Sequence, residues 1–232
     1  MEVRHMCRKI NVLGVHIDYM NVEASMNQIA EMMKNDRMNM VSMVTISTLM
    51  LARRDPVWKQ YIEDMDLTVI GDDEILKAAD IFSGRIMDEV EDHSFVNLFF
   101  NYMIRNQKQI FVLGETKKEV DGLKNYLQDA YPGILVAGDA VVEDSSSPEK
   151  YINEVNSLSV DVIVSGLSGF RQDMLAFENK SQLNSKLWLC LGKQPFIQSN
   201  AGLKVSRWSR LLMKNEFKRM VAKYKEKNCS TV

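Results

Sequence analysis

Short polar or glycine-containing segments follow five apolar runs of the chain, and their residues are of the kinds that bind phosphate and accept protons. The segments are Thr45-Ile46-Ser47, Gly71-Asp72-Asp73-Glu74, Gly114-Glu115-Thr116, Ser165-Gly166-Leu167-Ser168-Gly169 and Gly192-Lys193. Glycine turns and helix N-termini present unpaired N–H groups to an anion, and a carboxylate can act as a general base. If these segments meet at one edge of a sheet, they predict a nucleotide-sugar pocket.

The segment from Val160 to Asp173 shows this arrangement most clearly. Val160–Val164 is a short β-branched run typical of a buried parallel strand, and a glycine loop and the start of a helix follow it. Unpaired N–H groups and the helix dipole would then point the same way, toward a bound anion. An ordinary strand-to-helix turn is the alternative. Similarly, Asp72 could simply complement the dipole of the helix that it precedes.

Several function classes find no support in the sequence. It contains neither G-x-x-x-x-G-K-[ST] nor G-x-G-x-x-G, and its formal net charge of −2 gives no reason to expect nucleic acid as a partner. The few cysteines and histidines are scattered, which argues against a metal site and favours free thiols in a reducing cytosol; they are Cys7, Cys190, Cys229, His5, His16 and His93. No run is long enough to span a bilayer, and the N-terminus lacks the apolar core of a secretory signal.

Strands and helices are predicted to alternate along the chain. The predicted strands are Lys9–Asp18 with a turn at Gly14, Met40–Ile46, Asp66–Ile70, Gln109–Leu113, Ile134–Ala137, Val160–Val164 and Lys186–Leu191. The predicted helices are Asn21–Met33, one from Leu49 that restarts at Asp55-Pro56, Glu74–Phe82, Glu91–Arg105, Thr116 to Tyr131, Ser147 to Val155 and the chain beyond Gly202. This order predicts an α/β fold with a doubly wound, mostly parallel, Rossmann-like sheet, and ligands at the carboxyl ends of its strands.

The C-terminal segment differs in charge from the rest of the chain. Residues 204–232 carry nine Lys or Arg and two Glu, a net charge of +7. The apolar residues Met213, Phe217, Met220, Val221 and Tyr224 form one helical stripe among them. We therefore predict a catalytic domain over residues 1–203 and a basic amphipathic helical tail over residues 204–232. The stripe could lie on an anionic membrane surface, on its own domain or on a second copy in a homo-oligomer.

Five collinear segments resemble the WecG/TagA/CpsF family of bacterial glycosyltransferases, over about residues 9–192. They are INVLGVHID, VTISTLMLARRDP, MDLTVIGDDEIL, FVLGETKKEVDGLKNYLQDAYPGILVAG and DVIVSGLSGFRQD. The resemblance implies inverting, metal-independent transfer of an N-acetylhexosamine-type sugar from a UDP-sugar to a polyprenyl-diphosphate-linked acceptor. This places the protein in cell-surface polysaccharide biosynthesis, with no cofactor, at the cytoplasmic face of the membrane.

The same resemblance assigns residues to roles. Asp72 matches the proposed general base, with Asp73 open as an alternative because of a one-residue gap. Thr45 matches a family threonine and is the second predicted catalytic residue. The implied substrate-binding residues are Ser47, Asp73, Arg85, Gly114, Gly166, Gly169, Gln172 and Gly192. Ser47 replaces a family asparagine, and Asp73 replaces the glycine that follows the base. These departures keep two alternatives open: a non-catalytic nucleotide-sugar-binding or partner module, and an unrelated nucleotide-binding α/β enzyme.

Overall fold

The computed structural model describes residues 8–142, 148–203 and 207–229. The strands are β1 Arg8–Val12, β2 Val15–Tyr19, β3 Asn39–Val44, β4 Leu67–Ile70, β5 Gln109–Gly114, β6 Leu135–Val141, β7 Val162–Ser165 and β8 Leu187–Cys190. The helices are α1 Val22–Met32, α2 Ile46–Arg54, α3 Pro56–Glu63, α4 Asp73–Ala78, α5 Arg85–Glu91, α6 Ser94–Arg105, α7 Lys117–Ala130, α8 Glu149–Leu158, α9 Gly169–Asn179, α10 Pro195–Asn200 and α11 Arg207–Cys229.

Six of the strands form one parallel sheet in the order β4-β3-β8-β7-β5-β6. Parallel neighbours require crossover connections, and helices supply them on both faces of the sheet. The predicted Rossmann-like α/β fold is therefore confirmed. The carboxyl ends of β3, β4 and β8 lie side by side, so the loops that follow these strands can share one site.

Alternation along the strands explains why both faces are covered. In β5, Ile110 and Val112 pack into one apolar cluster, whereas Phe111 and Leu113 pack into the cluster on the opposite face. Side chains of a strand point alternately to its two sides, so a strand that is apolar throughout must be covered twice. Trp188 of β8 is fully buried in the second of these clusters.

The predicted N-terminal strand is a separate two-stranded hairpin. β1 and β2 pair antiparallel, with Val12 opposite Val15, and the chain turns at Leu13 and Gly14, as the glycine indicates. Gly14 has a φ of +87°, a conformation that glycine adopts at little cost. The hairpin lies outside the six-stranded sheet and contributes Val15 and Ile17 to a third apolar cluster.

Two parts of the helix prediction were incomplete. The helix predicted over Glu91–Arg105 begins only at Ser94, as α6, after His93, which has a left-handed φ of +53°. The preceding α5 was not predicted. The six-residue α10, which starts with Pro195, was not predicted because it is too short to show a helical period. The predicted helix start at Ser147, and residues 204–206 and 230–232 of the predicted tail, lie outside the described residues.

The apolar stripe of α11 packs on the body of the protein. Phe217 is 1% exposed within the third apolar cluster, and the other four stripe residues pack against that cluster. Ion pairs reinforce the contact, including Arg54–Glu216 at 2.6 Å and Lys225–Asp80 at 2.6 Å. No helix within the described ranges has the length and apolar character needed to cross a membrane.

Candidate functional site

A cavity of about 230 Å³ opens where the loops after β3, β4 and β8 meet the first turns of α11. Its polar lining brings Thr45, Ser47 and Asp72 together with three cationic residues, Lys193, Arg210 and Lys214. Polar and apolar side chains complete the wall; they are Ile46, Pro195, Gln198, Ser209 and Met213. One carboxylate thus faces a concentration of positive charge at the carboxyl edge of a parallel sheet.

Thr45 lies at this edge because it is the N-cap of α2. Its Oγ1 accepts a hydrogen bond from the Thr48 amide at 3.2 Å, and the Thr48 side chain completes a capping box. Such a cap satisfies N–H groups that a helix start leaves unpaired. Thr45 Oγ1 also lies 2.7 Å from Ser47 Oγ, so the two hydroxyls form a connected pair in the cavity wall.

Asp72 connects two strand ends. It is the N-cap of α4 but makes no side-chain bond to that helix; instead its Oδ2 accepts the Ile46 N–H at 2.9 Å, at the start of α2. The residue is 9% exposed. Burial raises the pKa of the Asp72 carboxyl above its ordinary value, although the Ile46 amide and the charges of Arg210 and Lys214 oppose this rise.

Asp73 has a different environment from its neighbour. Its carboxylate pairs with Lys77 one turn along α4 and lies 3.8 Å from Lys214 Nζ. Burial tends to raise the pKa of Asp73, but these two ammonium groups outweigh it and hold the pKa below its usual value. Asp73 is therefore a paired anion that fixes Lys214, whereas Asp72 faces the cavity.

Glu74 attaches the tail helix to the same corner of the molecule. It lies 3.4 Å from Lys214 Nζ and 3.3 Å from Lys218 Nζ. The acidic run after β4 thus binds the basic residues of α11 and places Arg210 and Lys214, one helical turn apart, at the cavity.

Lys193 reaches the cavity from the loop after β8 and is held by two glutamates. Its ammonium pairs with Glu115 and lies 2.9 Å from Glu119 Oε1. Glu115 also accepts the Ser168 N–H at 2.7 Å, at the N-terminus of α9. Lys193 therefore ties the segments after β5, β7 and β8 together. Burial tends to lower the pKa of Lys193, but the two glutamates outweigh it and hold the pKa above its usual value.

Three of the predicted glycines line a separate cavity of about 10 Å³. Gly114, Gly166 and Gly192 meet there, and Gln198 lines both this space and the larger cavity. A Cβ atom on Gly114 would lie 2.8 Å from Val120 Cγ2, so close packing requires glycine at that position. Gly169 is the first residue of α9, where a Cβ would lie 3.4 Å from Thr48 Oγ1.

Gln172 lies behind these loops. It is buried, and its Oε1 accepts the Gly192 N–H at 3.0 Å and the Ser165 hydroxyl at 3.1 Å. These bonds connect the ends of β7 and β8 and set the course of the loops that face the cavity.

Arg85 is not brought to the cavity. It begins α5, and its guanidinium lies 2.7 Å from Glu89 and 3.0 Å from Glu23 on the surface. Its side chain is 60% exposed, and it is absent from the lining of the cavity that contains Asp72.

The structure adds residues that the sequence did not single out. Arg210, Ser209 and Gln198 line the cavity. His93 stacks on Phe196 with ring centroids 3.8 Å apart; burial lowers its pKa, as does the charge of Arg210, while the charge of Asp72 opposes this. The four-residue spacing of Arg210 and Lys214 was the available signal for the tail residues.

Among the described residues, no group of three or more His, Cys, Asp or Glu side chains could hold a metal ion.

A family model matches most of the chain. The family model described as glycosyl transferase WecG/TagA/CpsF family covers residues 10–223, and its range includes every cavity residue named above. No curated protein matches the chain.

Proposed function

The chain belongs to the WecG/TagA/CpsF family of glycosyltransferases, and we propose that it transfers an N-acetylhexosamine-type sugar from a UDP-sugar to a polyprenyl-diphosphate-linked acceptor. Family membership places the protein in cell-surface polysaccharide biosynthesis, with a nucleotide-sugar donor and a lipid-linked acceptor. The observation that carries the proposal is the position of one buried carboxylate, Asp72, opposite three cations in a single cavity.

In the proposed reaction, the acceptor hydroxyl oxygen attacks the anomeric carbon on the face opposite the UDP group. The new C–O bond forms as the bond to the diphosphate oxygen breaks, which inverts the anomeric configuration. The hydroxyl proton passes to Asp72, whose buried carboxylate is a stronger base than an exposed one. Asp73 is a poorer candidate because Lys77 and Lys214 stabilise its ionised form.

The leaving UDP carries the charge that develops in this step. Lys193, Arg210 and Lys214 line the cavity and can stabilise it, because cations fixed where charge develops act before the reaction begins. We assign Thr45 and Ser47 to orienting the sugar through their paired hydroxyls. We propose that the glycine segments at Gly114, Gly166, Gly169 and Gly192 serve nucleotide binding indirectly, by letting the loops behind the cavity pack closely with support from Gln172.

We also propose that the protein works at the inner face of the membrane, bound there peripherally. The predicted stripe of α11 packs inward, so the contact would involve the opposite side of the helix, where Trp208 is 78% exposed. Basic side chains near an anionic surface each contribute about 1 kcal/mol, and salt screens the attraction.

The direct test is the release of UDP from a panel of UDP-sugars, each incubated with and without a polyprenyl-diphosphate-linked saccharide. We expect acceptor-dependent release with an N-acetylhexosamine donor and no requirement for added metal. Tight UDP binding without release from any donor would instead favour the non-catalytic nucleotide-sugar-binding module.

A further inference from the structure

A second, open cavity of about 540 Å³ adjoins the one that contains Asp72. The two share Ser47, Ser209 and Met213, so they form one continuous passage. The outer cavity is a groove between α2 and α11, and its character differs from that of the inner one. Met50 and Leu51 line it from α2, and Leu212 and Met213 line it from α11.

The apolar surface continues outward from this groove. Leu212 is 66% exposed although it lines the groove, and Trp208 and Leu211 are also exposed. Residues three and four positions apart share a helix face, so Trp208, Leu211 and Leu212 lie together on α11. Exposed neighbouring apolar side chains of this size are costly in water unless they meet a ligand or partner.

A salt bridge spans the far part of the groove. Arg54 of α2 lies 2.6 Å from Glu216 of α11, and both residues line the groove. The bridge joins the two helices at this end of the groove.

We propose that the groove between α2 and α11 binds the polyprenyl hydrocarbon of the acceptor, an inference that rests on the proposed function. The acceptor has a reacting saccharide and a diphosphate at one end and an apolar chain at the other. The passage has the same order: the Asp72 carboxylate and the cations come first, then the Met and Leu side chains, then the exposed apolar face of α11.

The donor fits this groove poorly. A nucleobase and a ribose need hydrogen-bonding partners along their edges, and Met50, Leu51 and Leu212 provide none. Arg54 and Glu216, the charged residues of the lining, are already paired with each other. The groove is therefore assigned to the acceptor lipid, and the diphosphate of the nucleotide to the inner cavity, which Lys193, Arg210 and Lys214 line.

The test measures transfer to acceptors that share one saccharide diphosphate and differ only in the number of isoprene units, without vesicles. For the native chain, KM should fall as the hydrocarbon lengthens, by at most roughly fourfold per buried methylene group, and then level off. Leu212→Glu should raise KM for the long acceptor by about tenfold or more, since it places a carboxylate against the hydrocarbon. It should leave KM for the shortest acceptor and for the donor unchanged.

Phe82→Glu is the matched control. Phe82 is 68% exposed, similar to Leu212, and it lines neither cavity, so the same charge there should leave every KM unchanged. An equal effect of Leu212→Glu on short and long acceptors, or no effect at all, would overturn the assignment.

A binding measurement separates this inference from the proposed function. If the native chain released no UDP with any acceptor, the proposed reaction would fail, but the groove could still be tested with geranylgeranyl diphosphate and inorganic diphosphate as probes. We expect the prenylated probe to bind more tightly, and Leu212→Glu to remove that difference without weakening the binding of inorganic diphosphate. Equal affinity of the native chain for both probes would refute the groove assignment.

Discussion

Asp72 and Asp173 are both buried aspartates at the edge of the same parallel sheet, and burial raises the carboxyl pKa of each. Asp72 faces a cavity, accepts one backbone N–H and has Arg210 and Lys214 near it. Asp173 lies in α9 beside the Cys190 thiol and the Ser42 hydroxyl, which lower its pKa only partly. Its pKa is about 7, far above the ordinary 3.8.

The difference shows what the tail helix contributes. Without compensating cations, burial raises the pKa of Asp173 to about 7, so its protonated and ionised forms coexist near neutral pH. Within the described part of the chain, the buried Oδ1 atom of Asp173 has no hydrogen-bond partner. For Asp72, the Ile46 amide and the cations of α11 limit the rise in pKa that burial causes. Burial therefore makes Asp72 more basic, and the tail moderates that effect.

The largest effect is expected from replacing Asp72, which tests whether this carboxylate is the general base. Asp72→Asn preserves an oxygen to accept the Ile46 N–H, so the fold and UDP affinity should be retained. Turnover should fall by roughly 10²–10⁴, as is typical for the loss of a general base. Steady-state kinetics, with UDP titration and thermal unfolding of the same variant, measures all three quantities.

Asp73→Asn is the control for that variant. It removes an ion-paired carboxylate one residue away and should reduce turnover far less. Near-normal turnover in Asp72→Asn together with a large loss in Asp73→Asn would transfer the role of base to Asp73.

The second prediction concerns the stability contribution of Asp173. A folded-state pKa of about 7 exceeds the unfolded value near 3.8, so this group favours the folded state most below pH 4. Its contribution should be lost as the pH rises from about 4 to about 7, by an amount on the order of 4 kcal/mol. Asp173→Asn should remove this pH dependence without a comparable loss of turnover.

Urea unfolding of the native chain and of Asp173→Asn, at several pH values in this range, gives the difference in unfolding free energy between the two proteins. Other carboxylates titrate identically in both proteins, so the difference isolates Asp173. A difference in unfolding free energy that stays constant between pH 4 and 8 would mean that the carboxyl is already ionised in the folded protein.

The sequence predicted the sheet, its edge and part of the site for definite physical reasons. Continuous apolar runs such as Val160–Val164 indicated parallel pairing, and Asp55-Pro56 indicated where a helix begins. The position of α11 could not be derived, because its basic residues fit a lipid surface as well as the acidic run after β4. Lys214 contacts Glu74, 140 residues earlier in the chain, and also Asp73; tertiary packing sets these contacts, and no local period indicates them. For the same reason, the sequence around Arg85 did not indicate that its side chain lies on the surface, paired with Glu23.

The last prediction tests whether the tail tunes Asp72. Lys214→Met removes a cation that lowers the pKa of Asp72, so this pKa should rise further. The acid limb of the kcat/KM profile, which reports ionisation of the base, should move to higher pH. The move should be smaller than the ~1–3 pH units that a directly paired cation produces, because Lys214 pairs with Glu74 and Asp73. Lys218→Met is the matched control: it also removes a cation from Glu74, but Lys218 does not line the cavity, so the limb should stay in place. An identical profile in the native chain and Lys214→Met would mean that α11 supports the site by packing alone.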